Sequence, residues 1–191
     1  MDPRTLVNDA ITNVGAILDA FTPEECDRLI RHATVEGGKP ADVVSDNRLH
    51  YRPTVRRSTI RWVNNNPEVQ WMFERLNALV LAANQHYRFD IYGFIDPVQV
   101  AEYGVDDHFD WHVDLSTGMT SLRKLSISVQ LSDPADYDGG ELEFHGSSYG
   151  RQPTSRGAAI LFPSFVSHRV TPITRGTRFS LVAWASGPAF K

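Results

Sequence analysis

Cysteine is almost absent: Cys26 is the only one in 191 residues. An intrachain disulfide and any cysteine-rich zinc module are thereby excluded. Long apolar runs are missing as well, since no stretch reaches the about eighteen residues needed to cross a bilayer, and no membrane association is expected. Basic residues are not in excess. Lys and Arg number 19 against 23 Asp and Glu, a formal charge of −4 that speaks against a broad nucleic-acid surface. The N-terminus, MDPRTLVNDAITNVGAILDAF, lacks the basic-then-apolar order of a secretory leader. Repeats, low-complexity tracts and interdomain linkers are not found. What is present is a globular composition, 41% hydrophobic and 22% charged. A single cytoplasmic domain over residues 1–191 is expected, with helical support and a lid in 1–90 and a β core in 91–187.

Two helices stand out. Thr22-Pro23-Glu24-Glu25 is a capping box with proline at the first helical position, followed by Cys26, Leu29, Ile30 and Ala33 at helical spacing. Asn66-Pro67 is expected to open a second helix whose apolar stripe is Val69, Met72, Phe73, Leu76, Leu79 and Val80. The polar segment 37–58 reads as a long loop or lid. After Tyr87 the grammar changes to short β-branched and aromatic runs at 97–103, 124–131, 141–145, 158–162 and 177–184, separated by turn residues. In 124–131 the polar Ser126, Ser128 and Gln130 alternate with Leu125, Ile127, Val129 and Leu131. Helices first and strands later predict a mainly β sandwich or barrel supported by N-terminal helices.

The chemistry concentrates in Tyr103-Gly-Val-Asp-Asp-His108-Phe-Asp110-Trp111-His112-Val-Asp114, which holds two overlapping His-x-Asp units. On an extended strand residues two apart share a face, so an imidazole and a carboxylate can grip one ion. A third ligand from elsewhere would complete a two-histidine, one-carboxylate face suited to iron(II) with open positions. Isolated His-x-Asp pairs arise by chance in many sequences, and histidines beside acids are ordinarily just solvated, so the third ligand matters. His168 lies 54 residues beyond Asp114, after an apolar strand. Arg178 and Ser180 then share a strand face and could bind one carboxylate together.

These pieces, with Leu131-Ser-Asp-Pro, Tyr137-Asp-Gly-Gly-Glu-Leu142, Phe162-Pro-Ser, His168-Arg-Val-Thr-Pro, Gly176-Thr-Arg178-Phe-Ser180 and Trp184, run in one order over about residues 97–186. As a set they resemble the iron(II)/2-oxoglutarate-dependent dioxygenases, in the prolyl-4-hydroxylase-like branch that includes PKHD-type hydroxylases. Phe21 to Ile30 also looks like that branch's opening helix. The resemblance implies a double-stranded β-helix (jelly roll) with iron(II) held by His112, Asp114 and His168. It implies 2-oxoglutarate held by Arg178 with Ser180 and Tyr103, and Trp184 as an aromatic wall of that pocket or plain core. The resemblance further implies O2 as second cosubstrate and ascorbate as a candidate reductant. It implies succinate, CO2 and a hydroxylated prolyl or other amino acid-like substrate, free or peptidyl, as products. Asp114 favours hydroxylation, because related halogenating enzymes lack that carboxylate.

His112 is preferred over His108 because Tyr103 precedes it by nine residues and Trp111 stands before it. His108 becomes a rim residue, His145 is structural, and His32 and His86 lie apart. Gly104 directly after Tyr103, with Asp106-Asp107 next, departs from the family's Tyr-x-x-Gly and predicts a more acidic entrance. The cluster Arg52, Arg56, Arg57 and Arg61 either binds an acidic substrate or a main-chain carboxylate near the site mouth, or forms a solvated basic edge strand, and Arg123-Lys124 raises the same question. Phe109 and Trp111 are substrate platforms or barrel packing, with packing expected for whichever faces inward. Two other function classes stay open: a cupin-like iron enzyme that does not use 2-oxoglutarate, and a non-catalytic jelly-roll binding module.

Overall fold

The computed structural model describes residues 8–35, 37–45, 48–50, 52–146 and 148–190. Asp46, Asn47 and Tyr51 of the expected lid, and residues 1–7 of the leader reading, lie outside them. In chain order the elements begin with β1 (Gly15–Ile17), α1 (Pro23–Val35), β2 (Lys39–Pro40), β3 (Val43–Ser45), β4 (Arg48–His50), β5 (Arg56–Arg57), β6 (Thr59–Val63) and α2 (Gln70–Tyr87). They continue with β7 (Gly93–Phe94), β8 (Val98–Tyr103), β9 (His108–His112), β10 (Arg123–Gln130), β11 (Tyr137–Gly139) and β12 (Leu142–Phe144). The last four are β13 (Ala159–Pro163), β14 (His168–Val170), β15 (Ile173–Gly176) and β16 (Arg178–Ser186).

The architecture is mainly β with N-terminal helices. An eight-stranded antiparallel sheet runs β1-β13-β10-β16-β8-β6-β2, with β7 added beside β16. A smaller sheet runs β12-β14-β9-β5. Apolar side chains from both sheets meet in one buried cluster, including Tyr103, Phe144, Phe162 and Val170, so the two sheets form the jelly-roll sandwich. The other face of the large sheet packs on the helices. There Leu125, Ile127, Val129, Leu181 and Ala183 join Cys26, Leu29, Met72 and Leu76. No described helix is long and apolar enough to cross a membrane.

The capping box forms as the sequence predicts: Glu25 N donates to Thr22 Oγ1 (3.3 Å) and Thr22 N to Glu25 Oε2 (2.9 Å). Glu25 then pairs with Arg75 at 2.9 Å and clamps α1 to α2. The second helix departs from expectation. Asn66 Oδ1 accepts from Glu68 N in an Asx turn, and α2 starts only at Gln70. The asparagine's local bond serves the turn that delivers the chain to the helix, rather than the helix itself. The segment 37–58 is also more ordered than a loop, since β2, the β3–β4 hairpin and β5 fall within it. β5 and β6 thus bring strands from the first 90 residues to both sheets.

Candidate metal centre

Three predicted ligands converge. β9 and β14 pair antiparallel with His112 opposite His168, which sets the two rings 4.1 Å apart. β9 ends at His112, so Asp114 is not carried on the strand as the same-face argument assumed. It sits in the bend beyond, where Asp114 N and Leu115 N both donate to Ser164 O at 2.9 Å. The turn, not the pleat, aims the carboxylate. His112 Nε2 lies 3.8 Å from Asp114 Oδ1, and His168 Nε2 lies 3.7 Å from Asp114 Oδ2. These separations are too long for hydrogen bonds. One ligand atom from each residue lies within 4.8 Å of the others, a spacing one ion could bridge.

The tautomers suit that use. His112 Nδ1 faces Asp110 O at 2.7 Å and His168 Nδ1 faces Val166 O at 2.9 Å, so in each ring Nδ1 carries the proton and Nε2 keeps its lone pair. Burial, with His168 alongside, pulls the His112 pKa down to about 3, so the ring is neutral near pH 7. Burial alone would raise the Asp114 carboxyl. The two imidazoles, Arg123 and the Ser126 hydroxyl outweigh it and hold the group below the usual carboxylate range. Ser126 Oγ donates to Asp114 Oδ2 at 2.6 Å and lies 3.0 Å from Ser164 Oγ.

The triad opens on a cavity of about 600 Å³ that also receives Tyr103, Arg178, Ser180 and Trp184. Arg178 is 1% exposed. It donates to Gln130 Oε1 (2.8 Å) and Ser180 Oγ (3.4 Å), its Nε has no partner among the described residues, and Tyr103's ring lies 5.7 Å away. No carboxylate pairs with it among the described residues. A buried, uncompensated guanidinium is costly unless an anion joins it. Space has been left for that side chain: a Cβ on Gly140, whose φ is +64°, would stand 2.9 Å from Arg178 Cδ. Trp184 Nε1 is likewise buried without a partner among the described residues, and the Arg123 guanidinium lies 3.8 Å over its ring.

The remaining residues sort clearly. His108 does not border the triad's cavity, and its Nδ1 lies 3.1 Å from Asp106 O. Phe109 faces inward and stacks on His112 at 3.4 Å, whereas Trp111 is 39% exposed and meets His145 edge-on over a separate groove. His145 lies just past β12 rather than on the strand. The acidic entrance is not observed: Asp107 accepts from Gly104 N and pairs with Arg57, and neither Asp106 nor Asp107 borders the cavity. Arg61 is paired with Glu102, and Arg123 with Asp96. Arg52 and Arg56 do border the cavity. Sequence reasoning passed over Ser126, Ser164 and Gln130 as site residues. The polar alternation in β10 was the signal for two of them.

The 2OG-Fe(II) oxygenase superfamily model matches residues 98–186. A PKHD-type hydroxylase of Caulobacter sp. is 47% identical over 90 residues, 43% of this chain and 39% of that protein. One from Synechococcus sp. is 39% identical over 93 residues, 47% of this chain and 41% of that protein. The chain thus spans about two fifths of the length of these curated relatives. Among solved structures, a Pseudomonas putida prolyl-4-hydroxylase aligns at TM-score 0.73 and 21% identity, covering 96% of this chain and 98% of that one. A Trichoplax adhaerens prolyl hydroxylase, solved with a hypoxia inducible factor peptide fragment, aligns at 0.75 and 14% identity, over 95% and 88%. At these identities the likeness is one of fold.

Proposed function

We propose, with residues 98–186 belonging to the 2OG-Fe(II) oxygenase superfamily as the premise, that the chain is an iron(II)- and 2-oxoglutarate-dependent dioxygenase. It would hydroxylate an unactivated C–H bond of a prolyl or other amino acid-like substrate and release succinate and CO2. The observation that carries this is the pairing, in one cavity, of a His-Asp-His donor set with a buried guanidinium that lacks an acid among the described residues. Donors of two imidazoles and one carboxylate fit iron(II). The lone guanidinium fits the dianionic cosubstrate.

His112, Asp114 and His168 would hold the metal, which supplies the activation of O2 and the oxidative decarboxylation of the keto acid. The chain's own work is placement. The Asp110 and Val166 carbonyls fix both imidazoles, and Ser126 and the Ser164 backbone fix the carboxylate. Arg178, Ser180 and Tyr103 would receive the cosubstrate's distal carboxylate, with Gln130 holding the guanidinium in line. Trp184 and Phe162 wall the cavity and exclude water. We read 1–90 as support and 91–187 as the catalytic core of one cytoplasmic unit. The names of the hydroxylase relatives support this activity, and the peptide-bound neighbour supports a peptidyl or small-molecule substrate.

The test is succinate release measured against added iron(II) and 2-oxoglutarate. Release should require both, should vanish in His112→Ala and should persist in His108→Ala. Release independent of 2-oxoglutarate would favour the cupin-like alternative, and none at all a binding module.

A further inference from the structure

The four arginines between 52 and 61 do not share a fate. Arg57 Nε pairs with Asp107 at 3.0 Å, and Arg61 with Glu102 at 2.6 Å. Arg56 is the most buried of the three neighbours, 8% exposed, yet its hydrogen-bond partners are neutral: Ser58 Oγ at 3.1 Å and Gln99 Oε1 at 2.7 Å. Its guanidinium carbon stands 4.5 Å over the Phe109 ring, and Phe109 stacks on His112. Among the described residues no acid forms an ion pair with it. Among the described residues, the acids bordering the same cavity are Asp114, held in the triad, and Asp42 on the exposed rim.

The cavity therefore contains two buried guanidinium groups without carboxylate partners, on different sheets: Arg178 on β16 and Arg56 on β5. 2-Oxoglutarate has two carboxylates, and with the one beside its keto group going to the metal, the distal one would answer only one of these guanidinium groups. A cation taken out of water beside neutral groups is expensive, and the arrangement makes physical sense when a second anion completes it. Gln99 sharpens the point, because a glutamate there would neutralise Arg56 internally at no change in shape.

We propose that Arg56 is a specificity-determining residue that binds a carboxylate of the substrate, held in place by Ser58 and Gln99. The substrate class is then an amino acid or short peptide with a free carboxylate, rather than an internal segment of a protein chain. This rests on the dioxygenase reading and narrows it.

Binding is followed by the fluorescence of the cavity tryptophans, Trp62 and Trp184, with manganese(II) and 2-oxoglutarate present so that turnover does not intervene. The probes are glycyl-L-proline and its C-terminal amide. The free acid should bind at least about tenfold more tightly than the amide. Arg56→Gln should erase that difference while 2-oxoglutarate affinity stays within about twofold. Arg56→Lys should restore part of it. Gln99→Glu leaves the guanidinium and the fold in place, and should also erase the preference; a purely structural Arg56 would instead be strengthened by the new acid, with binding unchanged. Equal binding of acid and amide to the wild type would overturn the proposal, as would a preference that survives both Arg56→Gln and Gln99→Glu. Succinate release is assayed separately. Its absence, with acid-selective binding intact, would sink the dioxygenase reading and leave the carboxylate site standing.

Discussion

The two faces of the large sheet carry different physics on the same strands. On β10, Leu125, Ile127 and Val129 point into the layer shared with α1 and α2, all 0% exposed. The residues between them, Ser126 and Ser128, are buried as well, but they point toward the triad and cavity. β16 repeats the arrangement, with Leu181, Ala183 and Ala185 on the helix side and Arg178, Ser180 and Trp184 on the cavity side. Each large apolar side chain on the first face contributes about 1.5–3 kcal/mol of transfer free energy. Buried polar groups on the second give little net stability, and Arg178 without an acid lowers it. A period of two thus lets one strand separate folding from chemistry with neighbours only one residue apart.

That separation can be attacked from either face. The largest effect is expected for Asp114→Ala: succinate release should fall to background and bound iron should be lost, while the thermal midpoint holds within about 3 °C. Arg178→Gln should weaken 2-oxoglutarate about a hundredfold by direct titration, with stability unchanged or higher because a lone buried charge has gone. Ile127→Ala is the mirror image. It opens a cavity against the helices and should cost about 3 kcal/mol, lowering the midpoint by about 6–12 °C. Well below that midpoint its affinity for 2-oxoglutarate should match the wild type. If Arg178→Gln lowered the midpoint as far as Ile127→Ala does, the cavity face would be structural after all and the division would fail.

How much of this could be seen in the sequence depended on how far apart the partners were. The capping box at Thr22–Glu25 is complete within four residues, and it formed as predicted. The meeting of His112, Asp114 and His168 was legible because residue types and motif order are written in the chain. The alternation in 124–131 was visible too, but alternation alone does not tell water from a cavity as the reason for the polar face. Only the pairing of β10 with β13 and β16, and the arrival of Asp114 over Ser126, decides it. The arginine cluster was ambiguous for the same reason. Arg57 and Arg61 find acids at positions 107 and 102, while Arg56 meets Gln99, and strand register rather than composition makes that assignment. The start of α2 was missed because Asn66-Pro67 can open a helix or a turn, and the Asx bond to Glu68 selects the turn.

The smallest effect expected belongs to the helix side alone. Burial raises the Cys26 thiol from 9.0 to about 11 and the Tyr87 phenol from 10.0 to about 12. Tyr87 adds hydrogen bonds to Asn13 O and Leu161 O, which tie α2 to β13. Below about pH 9 both groups are protonated in the folded and unfolded chains, so their burial costs nothing extra. As pH rises past 9, the unfolded chain loses these protons first, and stability falls until the folded values near 11 and 12 are passed. Between pH 8 and 10 the loss should be on the order of 1–2 kcal/mol, read as a falling urea midpoint. Cys26→Ala, which removes the earlier of the two titrations, should flatten the slope between pH 9 and 10 relative to wild type. Asp114→Ala should leave that slope as it was, because the triad's carboxylate is ionised throughout this range. A Cys26→Ala profile parallel to the wild type would mean that the thiol titrates freely under α1, and that the helix layer is looser than the cavity it supports.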